Sequence, residues 1–338
     1  MTREESMNIF YEKGNFFYPI AYLFILCSCL FLASFIYAEN ADLRQLKIYE
    51  STLSKTSFEK WQIEVRKKLA NILLFPEQKP TDFEVRQIKE DVCERFKLEE
   101  YEIQSTFQRR IRVCLAVPLT VESKKFPAVV CIHGHSGNRY TPFEKESSPY
   151  HEFGKKLVQN GYVVISTDIG QHEIYETGRT LMGERLWDLM RCVDYLESLP
   201  FVDTHRIACA GLSLGGEMAM WLGAMDTRIK ATVVCGFLTY MDQMEKNHCL
   251  CWKFPGLREA VDFPDIYGLI APRALQCQNG EKEPPDQFPP SLAQKAWLEI
   301  KVVYEKFVAV DKMELVIHPG GHEIAIEPML NFLNKQLK

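Results

Sequence analysis

The chain has 338 residues, of which 46% are hydrophobic, 12% aromatic and 25% charged. Such a chain can bury a sizeable core and is not disordered, collagenous or of low complexity. Lys and Arg total 40 against 45 Asp and Glu, a net charge of −5 with no basic cluster. A nucleic-acid-binding surface therefore has no electrostatic support, and the length fits two domains or one large α/β domain with an extension.

Residues 16–38 are almost unbroken in apolar character, long enough for a membrane anchor or the apolar part of a signal peptide. Small residues up to Ala38 offer a cleavage site. The preceding flank is not clearly positive, which keeps an uncleaved anchor and membrane association through residues 16–38 open. Export or anchoring is the expectation, with residues 1–38 the targeting segment. Nine of the 11 cysteines lie beyond it without regular spacing, so no disulfide framework is legible. Cys131, Cys209, Cys235 and Cys277 sit in short apolar runs and read as core residues.

From Asp42 to Leu74 the pattern is helical, with Trp61, Val65, Leu69 and Leu73 apolar among charged residues, and Pro76 and Pro80 end it. This defines an N-terminal helical extension, residues 39–84, before a catalytic domain, residues 85–338. Tyr101 to Ser105 and Arg110 to Val117 read as antiparallel edge strands. Buried strands are then expected at Ala128 to Ile132, Val163 to Thr167, Ile207 to Ala210, Ala231 to Val234, Ala274 to Gln278 and Leu315 to Ile317. Helices are expected at Tyr150 to Asn160, Glu184 to Ser198, Glu217 to Ala224, Ser291 to Phe307 and Ile324 to Leu337. This alternation implies a doubly wound, mostly parallel α/β sheet with helices on both faces. Residues 235–272 are longer than an ordinary connection and rich in aromatic and turn-forming residues, which marks them as functional.

The sharpest local signal is Gly211-Leu212-Ser213-Leu214-Gly215-Gly216, with a strand before it and a helix after it. A serine on so sharp a turn needs small residues two before and two after it, and the helix N-terminus favours negative charge beside it. Ser213 is the expected nucleophile. Such a serine needs a histidine base and an acid, in the chain order serine, acid, histidine. His322 in His318-Pro319-Gly320-Gly321-His322 is the expected base, with His318 a structural residue at the strand end. The acid belongs after Ala274 to Gln278, where Glu283 and Asp286 compete. Spacing from Gly280 favours Glu283, whereas residue type and proximity to Phe288-Pro289 favour Asp286. One oxyanion donor is the N–H of Leu214. The second belongs to His135 or Ser136, in the loop His133-Gly134-His135-Ser136-Gly137 that follows a buried strand.

Three further features receive non-catalytic readings. Asp168 precedes Ser213 in the chain and reads as a loop organiser. Arg185, Asp188 and Arg191 read as surface or packing charges on a helix. Cys249-Leu250-Cys251 beside His248 has no second ligand pair at zinc spacing, so it reads as a structural loop, and neither a metal nor a cofactor is expected.

Together with Trp187-Asp188, Asp203-Thr204-His205-Arg206-Ile207 and Ala271-Pro272-Arg273, these motifs make the chain resemble the α/β-hydrolase superfamily, in its acetyl xylan esterase-like and dienelactone hydrolase-like branch, over about residues 58–337. The resemblance implies hydrolysis of a carboxylic ester through an acyl-enzyme, without cofactor or metal. Dienelactone hydrolases proper use a cysteine nucleophile, so Ser213 favours the esterase side. The expected substrate is a small-molecule or carbohydrate ester with a short acyl group such as acetyl. A peptidase of the same fold and a catalytically silent binding protein are the alternatives.

Overall fold

The computed structural model describes residues 54–119 and 125–338. The apolar segment 16–38 and the start of the expected helix at Asp42 lie outside the described residues. Among the described residues no helix is long and apolar enough to cross a membrane.

Helix α1 (Lys55–Leu73) starts at Ser54, whose Oγ accepts from the Ser57 N–H, a side-chain cap on an otherwise unpaired donor. Its buried residues Phe58, Trp61, Val65, Leu69 and Leu73 recur at helical spacing and join the main core. Gln62 Nε2 donates to the carbonyls of Gly268 (2.9 Å) and Ala271 (2.8 Å), and Arg66 Nε donates to that of Ala224 (2.8 Å). The described part of the expected extension is thus built into the same core as the sheet.

Nine strands form one sheet in the order β1-β2-β3-β5-β4-β6-β7-β8-β9. Strands β1 (Arg86–Val92), β2 (Phe96–Gln104) and β3 (Arg110–Pro118) are antiparallel. β3 meets β5 (Val163–Thr167) antiparallel, and from β5 through β4 (Phe126–Ile132), β6 (Val202–Leu212), β7 (Ile229–Cys235), β8 (Ala274–Gly280) and β9 (Met313–His318) the pairing is parallel. β2 begins before the expected Tyr101. Its acidic pair Glu99 and Glu100 obscured the strand pattern, yet both are buried, against Lys97 (2.6 Å) and Arg139 (2.8 Å) respectively.

Alternate strand residues feed two cores. Ala128, Val130 and Ile132 face the layer containing α1, α3 (Leu181–Ser198), α4 (Leu214–Met225) and α8 (Pro290–Lys306), while Val129 and Cys131 face α2 (Phe153–Gln159) and α9 (Ile326–Leu337). This two-sided burial is why the strands read as continuous apolar runs. Cys131, Cys209, Cys235 and Cys277 are all fully buried in these strands.

The charges on α3 are not surface charges. Arg185, Asp188 and Arg191 are buried, and each has its own partners. Asp188 accepts from both terminal nitrogens of Arg109 (2.6 and 2.8 Å) and from Ser105, while Arg191 pairs with Asp194 (2.7 Å). Helical spacing does not reveal the Asp188 pairs, because Ser105 and Arg109 come from the turn between β2 and β3, more than 70 positions away.

From β4 the chain passes to β5 on one side and later to β6 on the other. The carboxyl ends of β4 and β6 therefore flank a topological switch point, where an open α/β sheet leaves a crevice.

Candidate active site

The turn from β6 into α4 is strained. Ser213 has φ 62° and ψ −123°, a region that a non-glycine residue adopts only when its surroundings impose it. Here the imposition is close backbone crossing. A Cβ on Gly211 would lie 2.2 Å from the Gly215 carbonyl oxygen, and one on Gly215 would lie 2.2 Å from that of Ile132. The Ser213 N–H donates to the Cys235 carbonyl (3.0 Å), which anchors the turn to β7.

His322 lies in the loop between β9 and α9. Its Nδ1 donates to Glu283 Oε1 at 2.7 Å, because an ionised carboxylate can only accept. The Glu283 side chain is 1% exposed against 36% for His322, so the carboxylate is locked while the ring keeps an open edge. Phe288 stacks on the imidazole at 5.4 Å and 16°. The two loops also interlock through their backbones: Glu281 N donates to the His318 carbonyl and Lys282 N to that of Gly320. Gln278 clasps the far end of the histidine loop, exchanging both of its amide atoms with the backbone of Ala325.

Asp286, the competing acid, is exposed and accepts from Asn247 Nδ2 at 3.3 Å. His318 is buried at the end of β9 and accepts from the Gly320 N–H. Asp168 organises a loop by accepting from the Arg139 backbone and guanidinium, both at 2.7 Å. His133 is buried and satisfied on both ring nitrogens, donating to the Gly134 carbonyl and accepting from the Ile169 N–H.

Ser213, Leu214, His135 and His322 line one cavity of about 180 Å³. Ser136 is exposed on the same loop as His135. Phe237, Met244 and Phe288 supply apolar wall, and Asn247, His248 and Gln287 supply polar groups. Apart from Gln287 and Phe288, these wall residues come from residues 236–272, which fold as short helices, including α5 (Met241–Met244), α6 (Leu257–Ala260) and α7 (Phe263–Gly268), around an aromatic cluster. Phe237, Trp252 and Phe263 meet there at 5.1 and 5.5 Å.

Glu217 is a cavity residue that sequence reasoning missed. It is 2% exposed, its Oε1 makes no hydrogen bond among the described residues, and burial pushes its carboxyl up to about 8. The available signal was a charged residue one turn after Ser213 in an otherwise apolar helix. Tyr150 was also missed. Its hydroxyl accepts from the Gly134 N–H at 2.7 Å and holds the β4 loop beneath the elbow.

For Cys249-Leu250-Cys251, read from the sequence as a structural loop without a second ligand pair, the fold adds neighbours that sequence spacing does not show. A second ligand pair is present in space, from His135 and His172, and the four donor atoms all lie within 4.8 Å of one another. His135 Nε2 is 3.1 Å from Cys251 Sγ and His172 Nε2 is 3.2 Å from Cys249 Sγ. Although the residue is exposed overall, desolvation of its ring, then the nearby Arg185 guanidinium, pushes His135 down to about 4. All nine described cysteines are free thiols.

Residues 111–237 match the Dienelactone hydrolase family. The protein YtaP of Bacillus subtilis is 29% identical over 238 residues, which span 62% of this chain and 79% of YtaP. A candidate acetyl xylan esterase from Bacteroides fragilis NCTC 9343 superposes with a TM-score of 0.71 at 19% identity, covering 88% of this chain and 94% of the other. The glucuronoyl esterase from Solibacter usitatus superposes with a TM-score of 0.66 at 15% identity, covering 85% and 95%. At these identities the superpositions show the fold, which is that of the α/β-hydrolases.

Proposed function

We propose that this chain, which has the α/β-hydrolase fold and a Dienelactone hydrolase family domain, is a serine esterase that cleaves short-chain carboxylic esters. The observation that carries the reading is a single cavity lined by Ser213 and His322, with His322 tied to buried Glu283 at 2.7 Å. Ser213 Oγ attacks the ester carbonyl while His322 Nε2 takes its proton. Glu283 holds the ring in the tautomer that leaves Nε2 free and stabilises the imidazolium that forms. The tetrahedral oxyanion is met by the Leu214 N–H at the start of α4 and by the N–H of His135. Of the two residues expected for this second donor, His135 lines the cavity. The imidazolium then protonates the departing alcohol, and a water activated by the same histidine releases the acid.

Cavity size supports a short acyl group. About 180 Å³ beneath Phe237, Met244 and Phe288 suits acetyl, and it lies below the roughly 300 Å³ at which pockets for larger ligands begin. The polar groups of Asn247, His248 and Gln287 suit a hydroxyl-rich alcohol, and a carbohydrate ester is the substrate class that combines these features. The test is to label the purified protein with a fluorophosphonate and to measure aryl acetate against aryl octanoate hydrolysis. Labelling that Ser213→Ala abolishes, with turnover reduced by at least about 10³-fold and acetate preferred, is the expected result. An intact protein that resists the probe and hydrolyses neither ester would overturn the reading.

A further inference from the structure

We propose that His135, His172, Cys249 and Cys251 bind one zinc ion, which pins residues 236–272, the cap between β7 and β8 that walls the cavity. This goes beyond the esterase reading and does not depend on it. The four ligands come from three separate segments: the loop after β4, the loop after β5, and the cap between β7 and β8. Two thiols and two imidazoles form a donor set that selects zinc in tetrahedral geometry. With metal–sulfur and metal–nitrogen bonds of about 2.3 and 2.0 Å, neighbouring ligand atoms in such a site lie about 3.3–3.8 Å apart. The sulfur–nitrogen pairs already stand at 3.1 and 3.2 Å, and the whole set lies within 4.8 Å. Small rotations of the side chains would close the tetrahedron.

A second observation points to a charged ligand there. Arg185 is fully buried, and a buried guanidinium needs a negative partner. Among the described residues its polar contacts are Cys251 Sγ (3.4 Å), Met182 Sδ (3.7 Å) and the Gln171 carbonyl, with no carboxylate in ion-pair reach. The Glu217 carboxyl is within electrostatic reach of Arg185 but forms no ion pair with it, and a metal-bound Cys251 thiolate would place an anion in direct contact with the guanidinium. On zinc binding each thiol gives its proton to solvent and the sulfur lone pair to the metal, with no redox change. The backbone N–H of His135 is the proposed second oxyanion donor and Cys249 lines the same cavity, so the bound ion would join the oxyanion loop to the cap.

The test uses the full-length protein, purified reduced and exchanged into zinc-free buffer after brief zinc loading. Elemental analysis should find about one zinc per chain, retained in Ser213→Ala and lost in His172→Ala and Cys251→Ser. Cobalt loading should give the visible bands of a tetrahedral thiolate site. Because a variant can fail to fold, the wild type carries its own control: micromolar zinc should slow alkylation of Cys249 and Cys251 by at least about tenfold, read by peptide mass spectrometry. Zinc at background level with both thiols alkylated equally fast with and without the metal would overturn the proposal. So would a Cys249–Cys251 disulfide that persists as the sole state of the purified protein.

Discussion

Strands β1 and β8 are each seven residues long, yet every residue of β1 is exposed and every residue of β8 is buried. β1 is an edge strand, dressed with charges that reach β2 through Lys97–Glu90 (3.1 Å) and Arg86–Glu102 (3.5 Å). Charged side chains on an edge also discourage pairing with other chains. β8 lies between β7 and β9, and its carboxyl end launches the loop that buries Glu283 against His322. A group meant to hold an imidazole in place needs a buried, paired strand end behind it. An edge strand satisfies its backbone on one side only and leaves its side chains free.

Substitutions that act on the buried end should far outweigh those on the edge. Glu283→Gln should lower turnover about 10³- to 10⁴-fold by offering His322 the wrong hydrogen-bond partner. Asp286→Asn, six positions after the end of β8 and exposed, should stay within about twofold. Steady-state kinetics on an aryl acetate separates the two, and equal losses would mean that the buried pair is not the working one.

Gly215→Ala comes next. Its Cβ would meet the Ile132 carbonyl oxygen at 2.2 Å, backbone on both sides, so urea unfolding should show a loss of about 3 kcal/mol or more. Glu217→Gln tests burial through pH. The folded carboxyl is raised to about 8 from an ordinary 4.5, so between those values the native state holds a proton that the unfolded chain has released. Wild-type stability attributable to this group is intact below about pH 4.5, falls as pH rises, and is lost above about pH 8. The glutamine variant should lack that decline, and parallel unfolding midpoints from pH 5 to 9 in both proteins would contradict it. The smallest effect belongs to β1. Ile88 is 45% exposed, and Ile88→Lys should change stability by less than about 0.5 kcal/mol and leave ester hydrolysis unaltered.

The sheet and the serine turn were legible because their physics is local. A strand buried on both faces must be continuously apolar, as at Ala128 to Ile132. A serine forced into positive φ needs glycine on either side, as at Gly211 and Gly215. Helical spacing likewise marked α1, although not that its Gln62 and Arg66 would clamp the carbonyls of distant loops. Buried charge was illegible: Glu99, Glu100, Asp188 and Arg191 look like surface residues until their partners are placed.

The amino-acid order by itself determined which elements form, where the chain turns sharply, and which histidine and which pair of carboxylates belong to the same end of the sheet. Those outcomes follow from backbone sterics and hydrophobic periodicity over a few residues. Only the tertiary structure decided which carboxylate meets His322, that Glu217 is stranded in the cavity, and that Cys249 and Cys251 find two histidines more than 70 positions away. Each depends on desolvation and on distances between segments that share no local pattern, and both quantities come into existence when the layers pack.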